Sequence, residues 1–487
     1  MKLCCIGHSF FYETEKLCRL FLPFEKIEVT ETLAEDDSVA ITKKDNLEIY
    51  ASLKLNGSFC ERKSALCINA SERDAERKIA SLLYQCFVEI TGYSLKWGIV
   101  TGIRPARLFS AVVEELGSEE QAQSYFKNKF FVNDEKISLC RETHNSEEKI
   151  IALSKVNSFS LYVSIPFCPT RCSYCSFVSH AVEKADKLIP EYIDRLCQEI
   201  EYTADIAKSL QLNLETVYIG GGTPTTLTAQ QLDRVISKIY DCFNTEKMRE
   251  FTVEAGRPDT ITEEKLLVLK KHKVDRISIN PQTMNDEVLE NIGRAHNSQQ
   301  TKEAFLLARR LGFNNINMDL IAGLPGDTVD SFKKTLLEIS KLDPESVTVH
   351  SLSMKRSSKM NISGDFPEIE IGKIADEMVM YARNFLTSKE ILPYYMYRQS
   401  KTMGNLENVG YAKAGKECLY NVFIMDETHT ILGCGASAVT KMREPNGNYI
   451  ERVFNFKYPY EYIDRFDIIL DRKKAIKDFY NKYPLSD

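Results

Sequence analysis

The sequence lacks several features that mark special classes of protein. No apolar run approaches the roughly 20 residues that cross a bilayer, so we expect no membrane span. Acidic residues outnumber basic ones by 69 to 63, which argues against a nucleic-acid partner, because no excess positive charge is available. Low-complexity segments and repeats at solenoid spacing are absent as well. The class that remains is an ordinary globular protein. A length of 487 residues favours two to four domains.

The sequence also has no recognisable export signal. Its short apolar start soon becomes acidic, which is a poor match to a signal peptide. We therefore expect a cytoplasmic protein whose 14 cysteines are mostly reduced thiols. Eleven of them are scattered along the chain, as is typical of small buried side chains. The other three, Cys168, Cys172 and Cys175, are close together and are the candidates for chemistry.

The N-terminal part has the pattern of an α+β domain, which we place at residues 1–155. Short alternating stretches predict strands at 25–30, 39–43, 47–55 and 65–70 in an antiparallel meander. Ser71 followed by Asp74 predicts a helix start, because a hydroxyl and a carboxylate at this spacing cap the first turn. Further helical patterns cover residues 105–116, 119–128 and 134–153.

From residue 156 to residue 385, short β-rich runs alternate with amphipathic helical segments. Alternating βα units form a parallel sheet, and six of them fit a partial (β/α)6 TIM-like barrel of the α/β class. Ligands bind at the carboxyl ends of strands in such folds. Residues 386–487 are expected to form a C-terminal α+β extension on the substrate side, with a strand-like run at 422–425. The six predicted strands are 161–165, 216–219, 251–254, 276–279, 316–321 and 346–352.

The three clustered cysteines follow the first predicted barrel strand with the spacing C-x3-C-x2-C. Three thiolates on one loop suit a [4Fe-4S] cluster that leaves one iron open. Zinc is the alternative, but a structural zinc site takes four ligands. His180 is the nearby residue that could supply the fourth.

Polar and glycine residues follow the other predicted strands. A Gly-Gly-Gly-Thr-Pro turn at 220–224 follows the second strand, where glycines let the backbone approach a ligand. Glu254 ends the third strand, Gln282 and Arg294 follow the fourth, and Asp319 lies in the fifth. Taken singly, Gln282, Arg294 and Asp319 are more often structural, and a carboxylate such as Glu254 is as often a solvated loop residue.

Taken together, these motifs resemble the radical S-adenosylmethionine (SAM) superfamily, and within it the oxygen-independent coproporphyrinogen III oxidase family, including its HemZ-type dehydrogenase branch. The resemblance implies that the three cysteines bind a [4Fe-4S] cluster and that SAM binds its open iron. The residues that match the family's motifs and would line the SAM pocket are Tyr162, Tyr174, Gly221, Gly222, Thr223, Glu254, Gln282, Arg294 and Asp319.

The resemblance also implies an activity. A SAM-derived 5′-deoxyadenosyl radical would start the oxidative decarboxylation of coproporphyrinogen III propionates to vinyls, in heme biosynthesis under low oxygen. No side chain is then expected to act as a catalytic acid or base, because the cofactors supply the radical. The implied partners are a tetrapyrrole substrate and a reduced flavodoxin or ferredoxin-like electron donor. Two alternatives stay open, a heme-binding chaperone of the same family and a radical SAM enzyme that acts on another tetrapyrrole.

The sequence departs from the family at three positions. Ser164 stands where the family has a histidine, and Phe177 stands where the best-known oxidases have a further cysteine. Tyr420 replaces the heme-ligating histidine of the chaperones, although tyrosine can also ligate heme iron. The candidates for binding the substrate carboxylates are basic residues, namely Arg104, Arg107, Lys355, Arg356 and Arg398.

Overall fold

The computed structural model describes residues 1–23, 25–175, 180–181, 185–353, 368–399 and 402–485. The chain divides into two compact units, Met1–His144 and Asn145–Asp487. The division lies eleven residues before the predicted end of the N-terminal domain, within a helix. Residues 386–487, for which a separate region was expected, belong to the second unit together with the barrel.

The first unit contains a five-stranded sheet in the order β2-β1-β3-β4-β5. Strands β3, β4 and β5 form the expected antiparallel meander, and the turns Asn46 and Asn56-Gly57 have the positive φ that such turns require. Strand β1 was not predicted, and it pairs parallel with β2 and β3. The predicted strand at 65–70 was wrong, because the strand ends at Ala65. The bounds are Lys2–Ile6 (β1), Glu28–Thr30 (β2), Val39–Asp45 (β3), Glu48–Leu55 (β4) and Ser58–Ala65 (β5).

Helices complete the first unit, and those predicted from the sequence are present. The capping box at Ser71 forms as expected, since its hydroxyl accepts from the Asp74 amide and the Asp74 carboxylate accepts from the Ser71 amide. The long helix that follows buries its apolar face, including Ile79, Leu83 and Phe87. The bounds are Phe11–Phe21 (α1), Glu72–Thr91 (α2), Pro105–Leu116 (α3), Glu119–Phe130 (α4) and Asp134–Ile151 (α5), the last of which crosses the division between the units.

The second unit is built on an 11-stranded sheet among the described residues. Six of its strands are parallel neighbours in chain order, β6-β9-β10-β11-β12-β13, and a helix follows each of them. This arrangement is the partial (β/α)6 barrel that the sequence predicted, and the nearly continuous burial of its strands is typical of parallel sheets. The six strands are Ser158–Ile165 (β6), Asn213–Gly221 (β9), Glu250–Glu254 (β10), Arg276–Ser278 (β11), Ile316–Ala322 (β12) and Ser346–Ser351 (β13), and a ribbon of Phe167–Cys168 (β7) and His180–Ala181 (β8) follows the first of them.

The C-terminal region extends this sheet at both edges. Strands β14 (Leu392–Arg398) and β15 (Glu407–Ala412) add antiparallel to β13. Strand β16 (Thr430–Cys434) adds parallel to β6, and the antiparallel strands β17 (Val439–Arg443) and β18 (Ile450–Phe454) follow it. The barrel strand β6 therefore has neighbours on both sides.

The helices of the second unit include one that the sequence did not predict. The run at 422–425 was predicted as a strand, but it lies in the helix Leu419–Asp426. The bounds are Ile189–Ser209 (α6), Ala229–Cys242 (α7), Glu263–Lys271 (α8), Asp286–Asn291 (α9), Ser298–Arg310 (α10), Val329–Leu342 (α11), Glu368–Thr387 (α12), Leu419–Asp426 (α13), Pro459–Asp464 (α14), Phe466–Lys473 (α15) and Ala475–Lys482 (α16).

Candidate functional site

The cysteine loop begins directly after β6. Cys168 lies in the short strand β7, and the ribbon pairs Phe167 with His180 and Cys168 with Ala181. Cys172 is buried, while Cys168 and Cys175 are partly exposed. The Cys175 amide donates to the Cys172 carbonyl at 3.2 Å, so these two residues form a tight turn. The loop therefore presents three thiols at the carboxyl end of a barrel strand, as predicted.

Two side chains outside the loop donate hydrogen bonds to its sulfur atoms. The Thr223 hydroxyl lies 3.5 Å from the Cys168 sulfur, and one guanidinium nitrogen of Arg257 lies 3.9 Å from the Cys172 sulfur. Arg257 is buried and is held by both oxygens of Asp259 at 2.9 Å. Hydrogen bonds to cysteine sulfur are among the features that set the reduction potential of an iron–sulfur cluster.

The donor set of this loop fits a cluster better than a single metal ion. No three His, Cys, Asp or Glu side chains in the described ranges lie close enough to hold one ion. The ligands of a cluster need not converge so closely, because each thiolate binds a different iron atom. His180, the candidate fourth zinc ligand, instead contacts the rings of Tyr458 and Tyr460.

The glycine turn packs directly against the cysteine loop. The Gly222 amide donates to the Ile165 carbonyl at 2.8 Å, and the Thr223 amide donates to the Phe167 carbonyl at 2.7 Å. A Cβ at Gly222 would lie 2.5 Å from the Phe167 carbonyl oxygen, and one at Gly221, whose φ is +106°, would lie 2.9 Å from the Ser164 hydroxyl. Only glycine allows this approach. Ser164, at the position of the family's histidine, thus forms part of the contact.

Glu254 lies at the end of β10 and is partly buried. The Tyr218 hydroxyl donates to it at 2.6 Å. Burial raises the pKa of Glu254 to about 7, the Tyr218 hydrogen bond opposes this shift, and the negative charge of Asp319 adds to it. A Cβ at Gly220 would lie 2.9 Å from the same carboxylate. Glu254 therefore adjoins the glycine turn. Its surroundings place its change between the neutral and the charged form near neutral pH.

Asp319 in β12 and Gln282 in the segment after β11 are brought together. The Gln282 amide donates to the Asp319 carbonyl at 2.9 Å, and Gln282 has a positive φ of 68°. The Asp319 carboxylate accepts from the Asn317 side chain at 2.6 Å and lies 3.9 Å from the His350 ring nitrogen. Burial works to raise the pKa of Asp319, but the nearby His350 ring and the hydrogen bond from Asn317 outweigh it and lower the pKa. Asp319 is therefore held as an anion.

Arg294 connects the cysteine loop to the neighbouring strands. Its guanidinium donates to the Tyr174 hydroxyl at 2.9 Å and to the Gly256 carbonyl at 3.2 Å. Tyr174 packs against an apolar cluster that includes Ile292 and Ile321. The Ser173 amide also donates to the Ile292 carbonyl at 3.0 Å. Tyr174 and Arg294, both predicted for the SAM pocket, therefore anchor the loop that carries the cysteines.

Tyr162 lies deeper, in a stack of three tyrosine rings. Its ring centroid is 6.2 Å from that of Tyr218 and 6.1 Å from that of Tyr420, while the Tyr218 and Tyr420 rings are 4.5 Å apart. Burial raises the pKa of Tyr420 well above its ordinary value, so the hydroxyl stays protonated. The buried Glu250 carboxylate accepts from the Leu419 and Tyr420 amides at 2.8 and 3.3 Å. Tyr420 is therefore fixed inside the protein, and its hydroxyl is neither exposed nor ionised.

Several residues of this site were not predicted from the sequence. Tyr218 stands two residues before the glycine turn in the same strand, and Arg257 stands three residues after Glu254. His350 lies in the sixth strand, beside Asp319. The signal that could have found Tyr218 and His350 is their place near the carboxyl ends of barrel strands.

The basic candidates for substrate carboxylates are scattered. Arg398 is buried and donates to the carbonyl and side chain of Asn405. Arg104 and Arg107 begin helix α3 in the first unit. Lys355, Arg356 and the family-divergent Phe177 lie outside the described residues. None of the described helices is long and apolar enough to cross a membrane.

A family model supports the interpretation of the barrel. The model of the radical SAM superfamily matches residues 162–339, which include the cysteine loop and every residue predicted for the SAM pocket. The cofactors of that superfamily, a [4Fe-4S] cluster and SAM, are therefore the cofactors of this chain. The thiol loop with its two sulfur hydrogen-bond donors, and the close glycine turn beside it, are suited to hold them.

Comparison with known proteins narrows the family. The chain is 37% identical to the oxygen-independent coproporphyrinogen-III oxidase-like protein HemZ of Bacillus subtilis, over 91% of both chains. It is 32% identical to the heme chaperone HemW of the same organism, over 62% of this chain and 77% of that protein. The structure of coproporphyrinogen III oxidase HemN from Escherichia coli has the same fold, with a TM-score of 0.52 over 66% of this chain and 71% of that one at 24% identity. The chain belongs to the radical SAM superfamily and, within it, to the HemN/HemZ family of oxygen-independent coproporphyrinogen III oxidases and related proteins.

Proposed function

We propose that this protein converts coproporphyrinogen III to protoporphyrinogen IX without oxygen. In each of two propionate side chains, a β-hydrogen would leave as an atom, carbon dioxide would leave from the carboxylate, and one electron would pass to an acceptor. The product of each is a vinyl group. Bound cluster and SAM would supply the 5′-deoxyadenosyl radical that removes the hydrogen atom. We expect this reaction to take place in the cytoplasm under low oxygen.

The observation that carries this proposal is the full-length similarity to HemZ. That match includes 91% of this chain, whereas the match to the Bacillus subtilis chaperone includes 62%. HemZ is known as an oxygen-independent coproporphyrinogen-III oxidase-like protein. Heme binding remains a second candidate function, because the match to the chaperone also includes the barrel.

The side chains of the barrel are suited to the proposed roles. Cys168, Cys172 and Cys175 would hold three of the irons, and Thr223 and Arg257 would direct hydrogen bonds to their sulfurs. The remaining pocket residues would hold SAM, with Asp319 as an anion and Glu254 near its titration point. The enclosing strands would keep water from the radical. No described side chain needs to act as an acid or base in hydrogen abstraction.

Tyr420 favours the enzyme over the chaperone. Where the chaperones carry a heme-ligating histidine, this tyrosine is stacked on Tyr162 and Tyr218 inside the protein. Its raised pKa disfavours the tyrosinate that would bind ferric iron. We therefore expect no stoichiometric heme binding through this helix.

An anaerobic assay tests the proposal. The reconstituted protein is given reductant, SAM and coproporphyrinogen III, and both protoporphyrinogen IX and 5′-deoxyadenosine are measured by chromatography. We expect two vinyl groups for two molecules of 5′-deoxyadenosine. Deoxyadenosine without vinyl product would contradict the assigned substrate and favour another tetrapyrrole. Stoichiometric heme binding with neither product would favour the chaperone.

A matched pair of variants tests the cluster ligands. Cys172→Ala should lose the iron content, the brown absorbance and SAM cleavage, because one of three iron ligands is removed. Cys197→Ala is the control, since Cys197 is a buried thiol of helix α6 outside the loop. It should keep all three properties. An intact cluster in Cys172→Ala would refute the ligand assignment.

A further inference from the structure

The segment from Phe456 to Tyr460 carries aromatic and basic side chains, of which Lys457, Tyr458 and Tyr460 are exposed. The Phe456 ring lies under two guanidiniums, those of Arg465 at 4.2 Å and Arg472 at 4.4 Å. The Lys457 ammonium lies 6.0 Å from the Tyr458 ring. Tyr458 and Tyr460 stack with ring centroids 5.5 Å apart and remain 36% and 45% exposed. We call these side chains, with their three cations, the aromatic strip.

The three cations of the aromatic strip have no carboxylate of their own. Within the part of the chain that the structure describes, Lys457, Arg465 and Arg472 form no ion pair, although the chain as a whole carries an excess of acidic residues. Arg472 also donates to the Phe454 carbonyl at 2.8 Å. No ion pair within the described residues neutralises the three positive charges, so they can attract acidic groups of another molecule. Positive charge on exposed aromatic rings is also a composition that recurs at protein interfaces.

The aromatic strip lies next to the cysteine loop. The His180 ring contacts the rings of Tyr458 and Tyr460 edge-on, at 6.0 and 6.2 Å. His180 is paired with Phe167 in the β7–β8 ribbon, which places Cys168 in the same ribbon, and its amide donates to the Pro166 carbonyl at 2.9 Å. A short run of contacts therefore connects the exposed tyrosines to the strand that carries the first cysteine.

The position of the aromatic strip separates it from the substrate side of the barrel. It directly follows β18, the last strand at the outer edge of the sheet, three strands beyond β6. Helix α14, which begins within the strip, packs on helix α6 outside the barrel. The pocket residues, in contrast, lie at the ends of the barrel strands. A partner on the strip would approach the cluster from outside, without entering the pocket.

We infer that the aromatic strip is the docking surface for an acidic one-electron carrier protein that reduces the cluster. The inference rests on the proposed function, because that reaction requires an external electron donor. One electron would leave the reduced carrier and enter the bound cluster, lowering its charge from 2+ to 1+, and no proton or group would be transferred. Weak, charge-steered contacts over a small area are typical of electron-transfer partners.

Stopped-flow reduction of the reconstituted protein tests the inference, with a purified reduced flavodoxin as the donor and no tetrapyrrole present. The double variant K457E/R465E should slow cluster reduction by flavodoxin about tenfold or more and weaken its dependence on salt. Reduction by dithionite should stay at the wild-type rate, because a small reductant needs no docking surface. A second variant, Y458L/Y460L, should slow reduction by flavodoxin without changing the net charge.

The control is R310E/K389E, which makes the same change of charge elsewhere in the unit. Both residues are exposed and form no ion pair in the described ranges, and Lys389 also lies over an aromatic ring, that of Phe385. This control should be reduced at the wild-type rate. Wild-type reduction of K457E/R465E by flavodoxin would overturn the inference, as would weaker coproporphyrinogen III binding with unchanged flavodoxin reduction. Normal cluster reduction without later vinyl formation would contradict only the proposed function.

Discussion

At the scale of single residues, the interaction with the clearest chemical consequence joins Tyr218 to Glu254. The Tyr218 hydroxyl stabilises a carboxylate that burial would otherwise protonate near neutral pH. A hydrogen bond to a charged group is worth about 1.5–3 kcal/mol, which corresponds to about one or two units of pKa. Tyr218 thus acts as a positioning residue for a group of the proposed SAM pocket.

Tyr218→Phe should raise the pKa of Glu254 further above 7, since the variant loses the hydroxyl that favours the carboxylate. If Glu254 binds SAM as an anion, the pH at which SAM affinity is half-maximal should move up by about one unit. Calorimetric titration of SAM between pH 6 and pH 9 measures this shift. Tyr240→Phe, which removes a hydroxyl bonded to the His272 carbonyl, is the control and should not move it. An unchanged midpoint in Tyr218→Phe would contradict the role.

His429 gives a prediction for stability against pH. It is buried between the hydroxyls of Ser154 and Ser160, at 2.8 and 2.7 Å. Burial, with the charges of Arg249 and Arg443, lowers the pKa of His429 to about 3. The folded state therefore disfavours the protonated ring. The stability that the neutral ring contributes is fully present above pH 6.5 and is lost as the pH falls toward 3.

The expected slope below pH 6.5 is about 1.4 kcal/mol of unfolding free energy per pH unit. His429→Gln cannot take up this proton, so the difference in unfolding free energy between wild type and variant should shrink as the pH falls. Urea unfolding between pH 5 and pH 7.5 measures this difference. A difference that stays constant over this range would contradict the buried, neutral state of His429.

The residues that the sequence could and could not predict differ in where their evidence lies. Cys168, Cys172 and Cys175 are recognisable because their whole pattern lies within eight residues of the chain. The roles of Tyr218 and His350 depend on their contacts with Glu254 and Asp319, which lie on other strands. Such pairs depend on strand order and register, and one local sequence pattern contains neither.

At the scale of elements, helix α13 shows how a distant residue decides a local structure. Its apolar run at 422–425 suits a buried strand or a buried helix, and local pattern does not separate the two. Glu250, at the start of β10, accepts from two amides of the first helical turn. That carboxylate satisfies amides that a helix leaves unpaired and favours the positive end of the helix dipole. The strand prediction failed because Glu250 is 169 residues away from Leu419.

Glu250→Ala should destabilise helix α13 and the core around it. The variant leaves one buried and one partly buried amide without an acceptor, and it removes the negative charge beside the buried Arg276 guanidinium. Loss of one partner of a buried charge pair costs about 3–5 kcal/mol. Urea unfolding measures the loss, and hydrogen exchange of residues 418–426 should increase most.

A cap at the protein surface is the comparison for Glu250. Thr228 caps helix α7 with its hydroxyl on the Gln231 amide, and Thr228→Ala should cost only about 1 kcal/mol. Equal losses in the two variants would show that Glu250 acts as an ordinary cap. The structure instead predicts the larger loss for the buried residue.

At the scale of the whole molecule, the C-terminal region is part of the barrel unit. The sequence favoured a separate region from residue 386, because the pattern there becomes irregular. Strand β16, a short buried run beside glycines, gave no clear strand signal, yet it pairs with β6 along five residues. Register with a strand 271 residues away is a property of the fold that local periodicity cannot supply. In this unit, the six regular βα repeats were the part that local periodicity could predict.

A buried ion pair connects this region to the barrel. The Lys473 ammonium of helix α15 lies 3.0 Å from the Glu199 carboxylate of helix α6, and both side chains are at most 1% exposed. The same carboxylate accepts from the Gly435 amide at 2.7 Å and from the Tyr462 hydroxyl at 2.6 Å. Lys473 also donates to the Gly433 carbonyl at 2.7 Å. The network fixes the glycine segment at the end of β16 against helix α6.

Lys473→Met should therefore destabilise the whole unit Asn145–Asp487 by about 3–5 kcal/mol, since it leaves Glu199 buried and uncompensated. Lys413→Met is the control, because it breaks an exposed pair with Asp343 that is worth at most about 1 kcal/mol. Hydrogen exchange should accelerate together in helix α6, strand β16 and the C-terminal helices of Lys473→Met. Faster exchange in residues 459–482 alone would contradict a single cooperative unit, because the barrel would then keep its stability without the C-terminal region.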